Sequence, residues 1–256
     1  MPIRSFSRAN HRIADRILSN MRLILTILLL TFSVSAEETY DPIEGFNRKI
    51  FWFNEKADEY LLGPIARGYI EYIPQDARTS VKHFFSNLKT PIYLGSSLLQ
   101  LKFTQAGTHL GRFAINSTVG VLGLFDAATD LGLKHEEEDI GIAFGYWGIP
   151  EGPYLVLPFL GPSNLRDFVG YAGDWALDPL NMTAVYSSVP NHPAEEITLG
   201  LSATRVISTR AGLEEAIKSG KESSVDYYLF LREAYTQYRK GLIYDGLPPE
   251  EEDDFE

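Results

Sequence analysis

The densest run of side chains able to hold a metal or move a proton is His135-Glu136-Glu137-Glu138-Asp139. On a helix, His135 and Asp139 would stand one turn apart, as paired ligands do. No second histidine stands near them, however, and no HExxH occurs. The run therefore reads as a solvated acidic loop. Nucleophilic chemistry has no better support. There is no GxSxG turn, and no cysteine to supply a thiolate. Gly220-Lys221 is followed by Glu222 and lacks the upstream glycine of a phosphate-binding loop. Gly120, Gly123 and Gly132 do not form GxGxxG after a strand. The five histidines (His11, His83, His109, His135 and His192) are scattered along the chain. The sequence thus predicts no catalytic residue, no metal site and no cofactor, and the chain reads as a non-enzyme.

Two other segments draw attention by what they lack. Phe113 to Phe125 (FAINSTVGVLGLF) is uncharged. At about 1.5 Å per residue it is too short to cross a bilayer, and it suits either a re-entrant or interfacial piece or a buried core helix. Asn116, Ser117 and Thr118 form a polar triplet inside it, placed to line a lumen or to cap a helix end. Ile140 to Leu165 carries one charge, Glu151, and is broken by glycines and prolines from Gly141 to Pro162. No continuous helix survives that many breakers. Such backbone must pack on protein or line a polar cavity. Tyr146, Trp147 and Tyr154 are amphipathic aromatics of the kind enriched at membrane–water interfaces.

The elements that must position these segments read as helices. Asp41-Pro42-Ile43-Glu44 has the pattern of a capped helix start. Phe46, Ile50, Phe53, Ala57 and Tyr60 follow at spacings of three and four, one apolar stripe that Phe51 and Trp52 widen. Helical patterns continue over 76–88, from Thr90-Pro91 to about Leu101, and over 105–118. They resume after Asp178-Pro179, over 197–219 and over 222–240. Sustained period-two alternation is missing, so strands are few and the fold class is all-α.

Composition bounds the rest. The 256 residues carry a net charge of −11, which argues against nucleic-acid binding. Met21 to Ala36 combines Arg22, an apolar run and Val34-Ser35-Ala36 before Glu37, the pattern of an export signal. Residues 1–36 are read as this leader, with translation starting at Met1 or at Met21. Residues 37–244 form the body, and 245–256 form an acidic, disordered tail.

Several ordered motifs then point to one family. They are Asp41-Pro42-Ile43-Glu44-Gly45-Phe46-Asn47-Arg48, Phe84-Phe85-Ser86-Asn87-Leu88, Gly111 to Thr118, Gly123-Leu124-Phe125-Asp126, and a long stretch from His135 through Gly145-Tyr146-Trp147-Gly148 to Arg166-Asp167. Over about Tyr40 to Tyr186 the chain resembles the VacJ-like, or MlaA, family of outer-membrane phospholipid-transport proteins. The resemblance implies a ring-like bundle of amphipathic helices lying in the periplasmic leaflet of the outer membrane, with the Gly/Pro-rich segment near a central polar channel. It implies association with phospholipid, with trimeric porins and with a periplasmic lipid-binding shuttle serving an ABC transporter.

On this reading the channel and its gate comprise Gly45, Phe46, Asn47, Asn116, Ser117, Thr118, Tyr146 and Trp147. Phe51, Trp52, Phe53 and Tyr154 meet the membrane interface. Periodicity alone equally makes Phe46 the first core residue of its stripe. Many family members carry an acylated N-terminal cysteine, and this sequence has none, so the expectation is a protein that is not a lipoprotein. A non-conducting envelope adaptor that binds porin or shuttle is the alternative. A hydrolase or metal enzyme built on His135 is the third reading and has the weakest support.

Overall fold

A computed structural model describes residues 39–187 and 195–247. The described part is all-α apart from one small hairpin. The helices are α1 (Glu44–Ala57), α2 (Gly63–Tyr72), α3 (Gln75–Leu88), α4 (Thr90–Leu99), α5 (Phe103–Thr118), α6 (Ala127–Asp130) and α7 (Ile140–Tyr146). After the antiparallel pair β1 (Tyr154–Leu157) and β2 (Gly161–Asn164) come α8 (Leu165–Leu177), α9 (Pro179–Ser187), α10 (Glu195–Gly212), α11 (Glu214–Ser223) and α12 (Tyr227–Ile243). A π-helical turn, Asp58–Leu62, joins α1 to α2 without a break. The expected leader and residues 248–256 of the expected acidic tail lie outside the described residues.

α1 is inverted relative to a helix of a water-soluble domain. Its apolar stripe faces outward: Phe46 is 60% exposed and Trp52 63%. Asn47, off the stripe, is 1% exposed. The inward face combines Ile50 and Phe51, which pack on Tyr154, Val156 and Tyr228, with several polar and charged side chains. Arg48 pairs with Asp226 at 2.8 Å and lies 4.3 Å from the Tyr228 ring centroid. Glu55 pairs with Lys221 at 2.6 Å, and Asp58 of the π-turn pairs with Arg210. Phe46 is therefore not the first core residue of the stripe. Asp41 does not cap the helix either. It accepts from Asn47 at 2.8 Å and from the Tyr228 hydroxyl, while Ile43 occupies the cap position.

The same inversion holds across the described residues. Buried polar and charged side chains outnumber buried apolar ones, and large hydrophobic side chains are exposed along most helices. A protein surrounded by water buries the apolar set, because removing apolar surface from water is the main favourable term of folding. Here that set faces outward, as it does when lipid covers it. Among the described residues no helix is long and apolar enough to cross a membrane. The exposed apolar surface is carried by short helices and by the turns between them.

The hairpin went unrecognised in the sequence because only four residues form each strand. Its outer edge is satisfied from α1. Asn47 donates to the Tyr154 carbonyl at 2.9 Å and accepts from the Val156 N–H at 3.0 Å. One heptad on, Asn54 donates to the Leu157 carbonyl at 2.9 Å and accepts from the Phe159 N–H at 2.8 Å. Each amide acts as a missing strand neighbour, supplying a donor and an acceptor to an edge that would otherwise be unpaired. Tyr154 points inward, 1% exposed, and packs edge-on to Tyr228. Asn47→Leu leaves a buried carbonyl and a buried N–H without partners. It is expected to lower stability by about 2 kcal/mol, read as the shift in denaturant midpoint of the detergent-solubilised protein.

The Gly/Pro-broken segment breaks as expected: α7, a loop, the hairpin, then α8. α7 and α8 approach very closely. A Cβ on Gly170 would sit 2.4 Å from the Gly141 nitrogen and 2.6 Å from its Cα. The helical pattern over 197–219 is divided at Gly212-Leu213, and α12 starts later than its pattern, at Tyr227. Asp226 caps it by accepting from the Tyr228 and Leu229 N–H groups.

Phe113 to Phe125 is not a core helix. α5 ends at Thr118, and the chain reverses through hydrogen bonds from Gly123 N to Asn116 O (2.8 Å) and from Leu122 N to Ser117 O (3.0 Å). Val121 and Leu122 adopt φ of 50° and 58°, a left-handed conformation that is costly for branched side chains. The strained turn displays Val119, Val121, Leu122 and Phe125 outward.

Candidate functional site

A cavity of about 520 Å³ lies between α3, α4 and α5 on one side and α10 on the other, with the 126–137 loop and Tyr238 of α12 completing it. Most of the residues that line it are polar or charged. α5 contributes His109, Arg112 and Asn116, at spacings of three and four that put them on one helix face. α3 contributes Lys82 and Ser86, the α3–α4 junction Lys89, and α10 Arg205, Ser208 and Thr209.

Arg112 is the organising group. Its guanidinium donates to both Asp126 oxygens at 2.8 and 2.9 Å, to Thr129 Oγ1 at 2.9 Å and to the Leu133 carbonyl. Asn116 adds a bond to Asp126 at 3.0 Å and accepts from the Ala128 N–H at 2.9 Å. The Asp126 side chain also accepts from the Thr129 N–H and hydroxyl. Burial alone would raise the Asp126 carboxyl. Donation from Thr129, Arg112 and Asn116 overrides burial and holds it well below the usual carboxylate range. This wall is thus a fixed, ionised cluster. His109 behaves oppositely. It is buried, its Nε2 has no hydrogen-bond partner, and burial, with His135 and Arg112 nearby, lowers its pKa to about 4. It is neutral at physiological pH. Tyr93, between His109 and His135 at centroid distances of 5.6 and 5.5 Å, is pushed up to about 12 by burial.

The residues expected at the channel fall into separate places. Asn116 lines the cavity. Ser117 bonds Asn87 at 3.0 Å and Thr118 donates back to the Ala114 carbonyl at 2.7 Å, so neither lines it. Gly45, Phe46 and Asn47 lie at the start of α1 beside the hairpin and do not line it. Tyr146 and Trp147 are exposed, with Trp147 donating to the Leu99 carbonyl at 2.9 Å and Lys102 lying over the Tyr146 ring. No residue of Ile140 to Leu165 lines this cavity.

Of the interfacial set, Trp52 and Phe53 are exposed, and Phe53 meets Phe159 edge-on at 5.1 Å. Phe51 is half-buried against Tyr227 and Tyr228, and Tyr154 is buried. The interfacial assignment of Tyr154 is therefore corrected. In a strand its side chain alternates inward, where periodicity in a presumed irregular segment gave no direction. His109 and the charged residues Arg112, Lys82, Lys89 and Arg205 were missed. The polar stripe 109–112–116 on α5 was the available signal.

The acidic run at 135–139 is not one solvated loop. Glu138 is buried and accepts from Ser96 at 2.9 Å and Gln100 at 2.5 Å. Asp139 caps α7 and pairs with Arg239. His135 lies in the cavity wall, 3.4 Å from Ser86 Oγ. Among the described residues no three His, Asp or Glu side chains converge as a metal site requires.

One carboxyl beneath the α7–α8 contact titrates near neutrality. Burial pushes Asp174 from 3.8 up to about 7, and the hydrogen bond from the Ile140 N–H, 3.0 Å, only partly offsets this. Because its pKa is raised on folding, the folded state holds the proton between these values. The stability it contributes is present below about 4 and lost as pH rises through about 7. Asp174→Asn keeps the acceptor oxygen and cannot ionise. Its melting temperature is expected to exceed the parent's by a larger margin at pH 8 than at pH 5, read by thermal unfolding at the two pH values.

The match to the MlaA lipoprotein family model spans residues 39–241. This chain belongs to that family. It is 34% identical to the intermembrane phospholipid transport system lipoprotein MlaA of Escherichia coli (strain K12) over 217 residues, 82% of each chain. It is also 34% identical to an uncharacterised protein of Rickettsia felis over 207 residues, 80% of this chain and 79% of that one. A solved structure described as the structural basis for maintenance of bacterial outer membrane lipid asymmetry superposes with a TM-score of 0.65 at 33% identity. It covers 79% of this chain and 98% of that one. Family membership corrects the expectation that this is not a lipoprotein, since the family and its Shigella, Escherichia and Haemophilus members are lipoproteins by name.

Proposed function

We propose that this protein moves phospholipid out of the outer leaflet of the outer membrane, through the polar cavity, to a periplasmic lipid-binding shuttle of an ABC-transporter system. The observation that carries the reading is a polar, charge-lined cavity inside a body whose large apolar side chains face outward. Acyl chains lie against such an exterior, while a headgroup needs hydrogen-bonding walls to leave water. The work is passive passage, with no bond made or broken. The names of the relatives and the lipid-asymmetry structure support the same role.

The ring-like arrangement in one leaflet and a trimeric porin partner belong to this proposal. So does a gate at the start of α1, where Gly45, Phe46 and Asn47 meet the hairpin. An added Cβ on Gly45 meets nothing within 4 Å. Gly45→Ala is therefore expected to stabilise α1 by up to about 1 kcal/mol and, by stiffening the gate, to lower transport. The direct test is outer-leaflet phospholipid in cells lacking the gene and in cells where it is restored. It should rise on deletion and fall on restoration. Unchanged surface lipid rejects the proposal.

A further inference from the structure

The charge of the cavity is opposite to that of the protein. The chain carries −11 overall, yet the cavity walls hold four cationic side chains, Lys82, Lys89, Arg112 and Arg205, against two carboxylates, Asp126 and Glu137. Two of the cations are already matched: Arg112 by Asp126 and Arg205 by Asp178 at 2.5 Å. Lys82 and Lys89 make no ion pair among the described residues, and both are exposed, which places them where the cavity meets its surroundings. Of the two cavity carboxylates, Glu137 makes no ion pair among the described residues, and it accepts from the Tyr238 hydroxyl at 2.5 Å. Deeper in the wall, His109 presents a neutral imidazole without a hydrogen-bond partner.

We propose that this cavity selects anionic phospholipids, with Lys82 and Lys89 drawing in the phosphodiester and disfavouring a headgroup that carries its own ammonium. The inference rests on the lipid-passage reading above and adds the substrate class. Every phospholipid brings a phosphate, and a neutral hydroxylated headgroup leaves that charge uncompensated for the two lysines. An ethanolamine headgroup adds a cation, which the lysines repel and only Glu137 attracts. Cationic walls in a partly desolvated cavity discriminate these cases more strongly than an open surface does.

The test is the phospholipid that co-purifies with the full-length protein in detergent, measured by mass spectrometry as the phosphatidylglycerol to phosphatidylethanolamine ratio. That ratio is compared with the ratio in the source membrane. The expected result is enrichment of phosphatidylglycerol by about threefold. Lys82→Gln with Lys89→Gln should return the ratio to that of the membrane, and Glu137→Gln should raise the enrichment. A membrane-like ratio in the parent protein, unchanged enrichment in the double variant, or no bound phospholipid overturns the proposal. Washing with inorganic phosphate should strip no more lipid than chloride at equal ionic strength. Selective release by phosphate would reassign the walls to the free ion and also overturn it. If surface phospholipid still responds to the gene while the ratio is membrane-like, the charge preference alone has failed and the transport reading stands.

Discussion

Replacing Arg112 with alanine is expected to lower stability by about 3–5 kcal/mol, the largest effect of any single side-chain truncation in the cavity wall. The guanidinium is buried, and it satisfies Asp126, Thr129 and the Leu133 carbonyl at once. Its removal strands a partly buried carboxylate that Asn116 and Thr129 alone cannot compensate. The α5 face and the 126–133 loop, which Arg112 ties together, would separate, and with them the cavity. Denaturant unfolding of the detergent-solubilised protein measures the loss. Adding Asp126→Asn to Arg112→Ala should recover a large part of it, because the stranded charge is what costs most. A single variant within about 1 kcal/mol of the parent would mean that this pair acts like an exposed ion pair, and the wall would not depend on it.

Gly170→Ala is expected to be comparably severe, at about 3 kcal/mol or more. The added methyl would meet backbone atoms of Gly141 and Ile140 and not the end of a flexible side chain, so α7 and α8 must move apart. That movement would disturb the network packed around the contact, in which Asp167 bonds Arg166 at 2.9 Å and Tyr235 at 2.6 Å and pairs with Arg239 at 2.7 Å. Circular dichroism and melting of Gly170→Ala against Gly107→Ala check the prediction. Gly107 has nothing within 4 Å of an added Cβ. Equal melting temperatures for the two would show that the α7–α8 contact yields freely.

Helix existence was legible in the sequence, because Thr90-Pro91 and Asp178-Pro179 mark real helix starts and the apolar spacing of α1 is truly helical. Helix direction was not. A period of 3.6 identifies a stripe but not the medium it faces, and for α1 it faces outward. Asn47 and Asn54 carried the missing signal: two amides seven residues apart, on the face about 100° round the helix from Phe46 and Phe53. The hairpin was hidden because α1 side chains, not further strands, satisfy its edge. Of the cavity, Asn116 was found through its contrast with apolar neighbours. Lys82, Lys89 and Arg205 were not, because charged residues on amphipathic helices look alike whether they line a cavity or meet water. The family motifs located the lineage correctly, but the reading that the protein is not a lipoprotein conflicts with the lipoprotein names of the family and its relatives.

The central claim is that phospholipid headgroups pass through the polar cavity while acyl chains lie against the apolar exterior. It is tested most directly by site-specific photocrosslinking in living cells, with the reactive residue placed at Ser208 in the cavity wall, at Trp52 on the exposed face of α1, and at Lys218 on the exposed surface of α11. Phospholipid adducts are predicted at Ser208 and Trp52 and not at Lys218. Adducts at Trp52 without any at Ser208 would contradict the account, leaving a membrane-bound protein whose cavity carries no lipid.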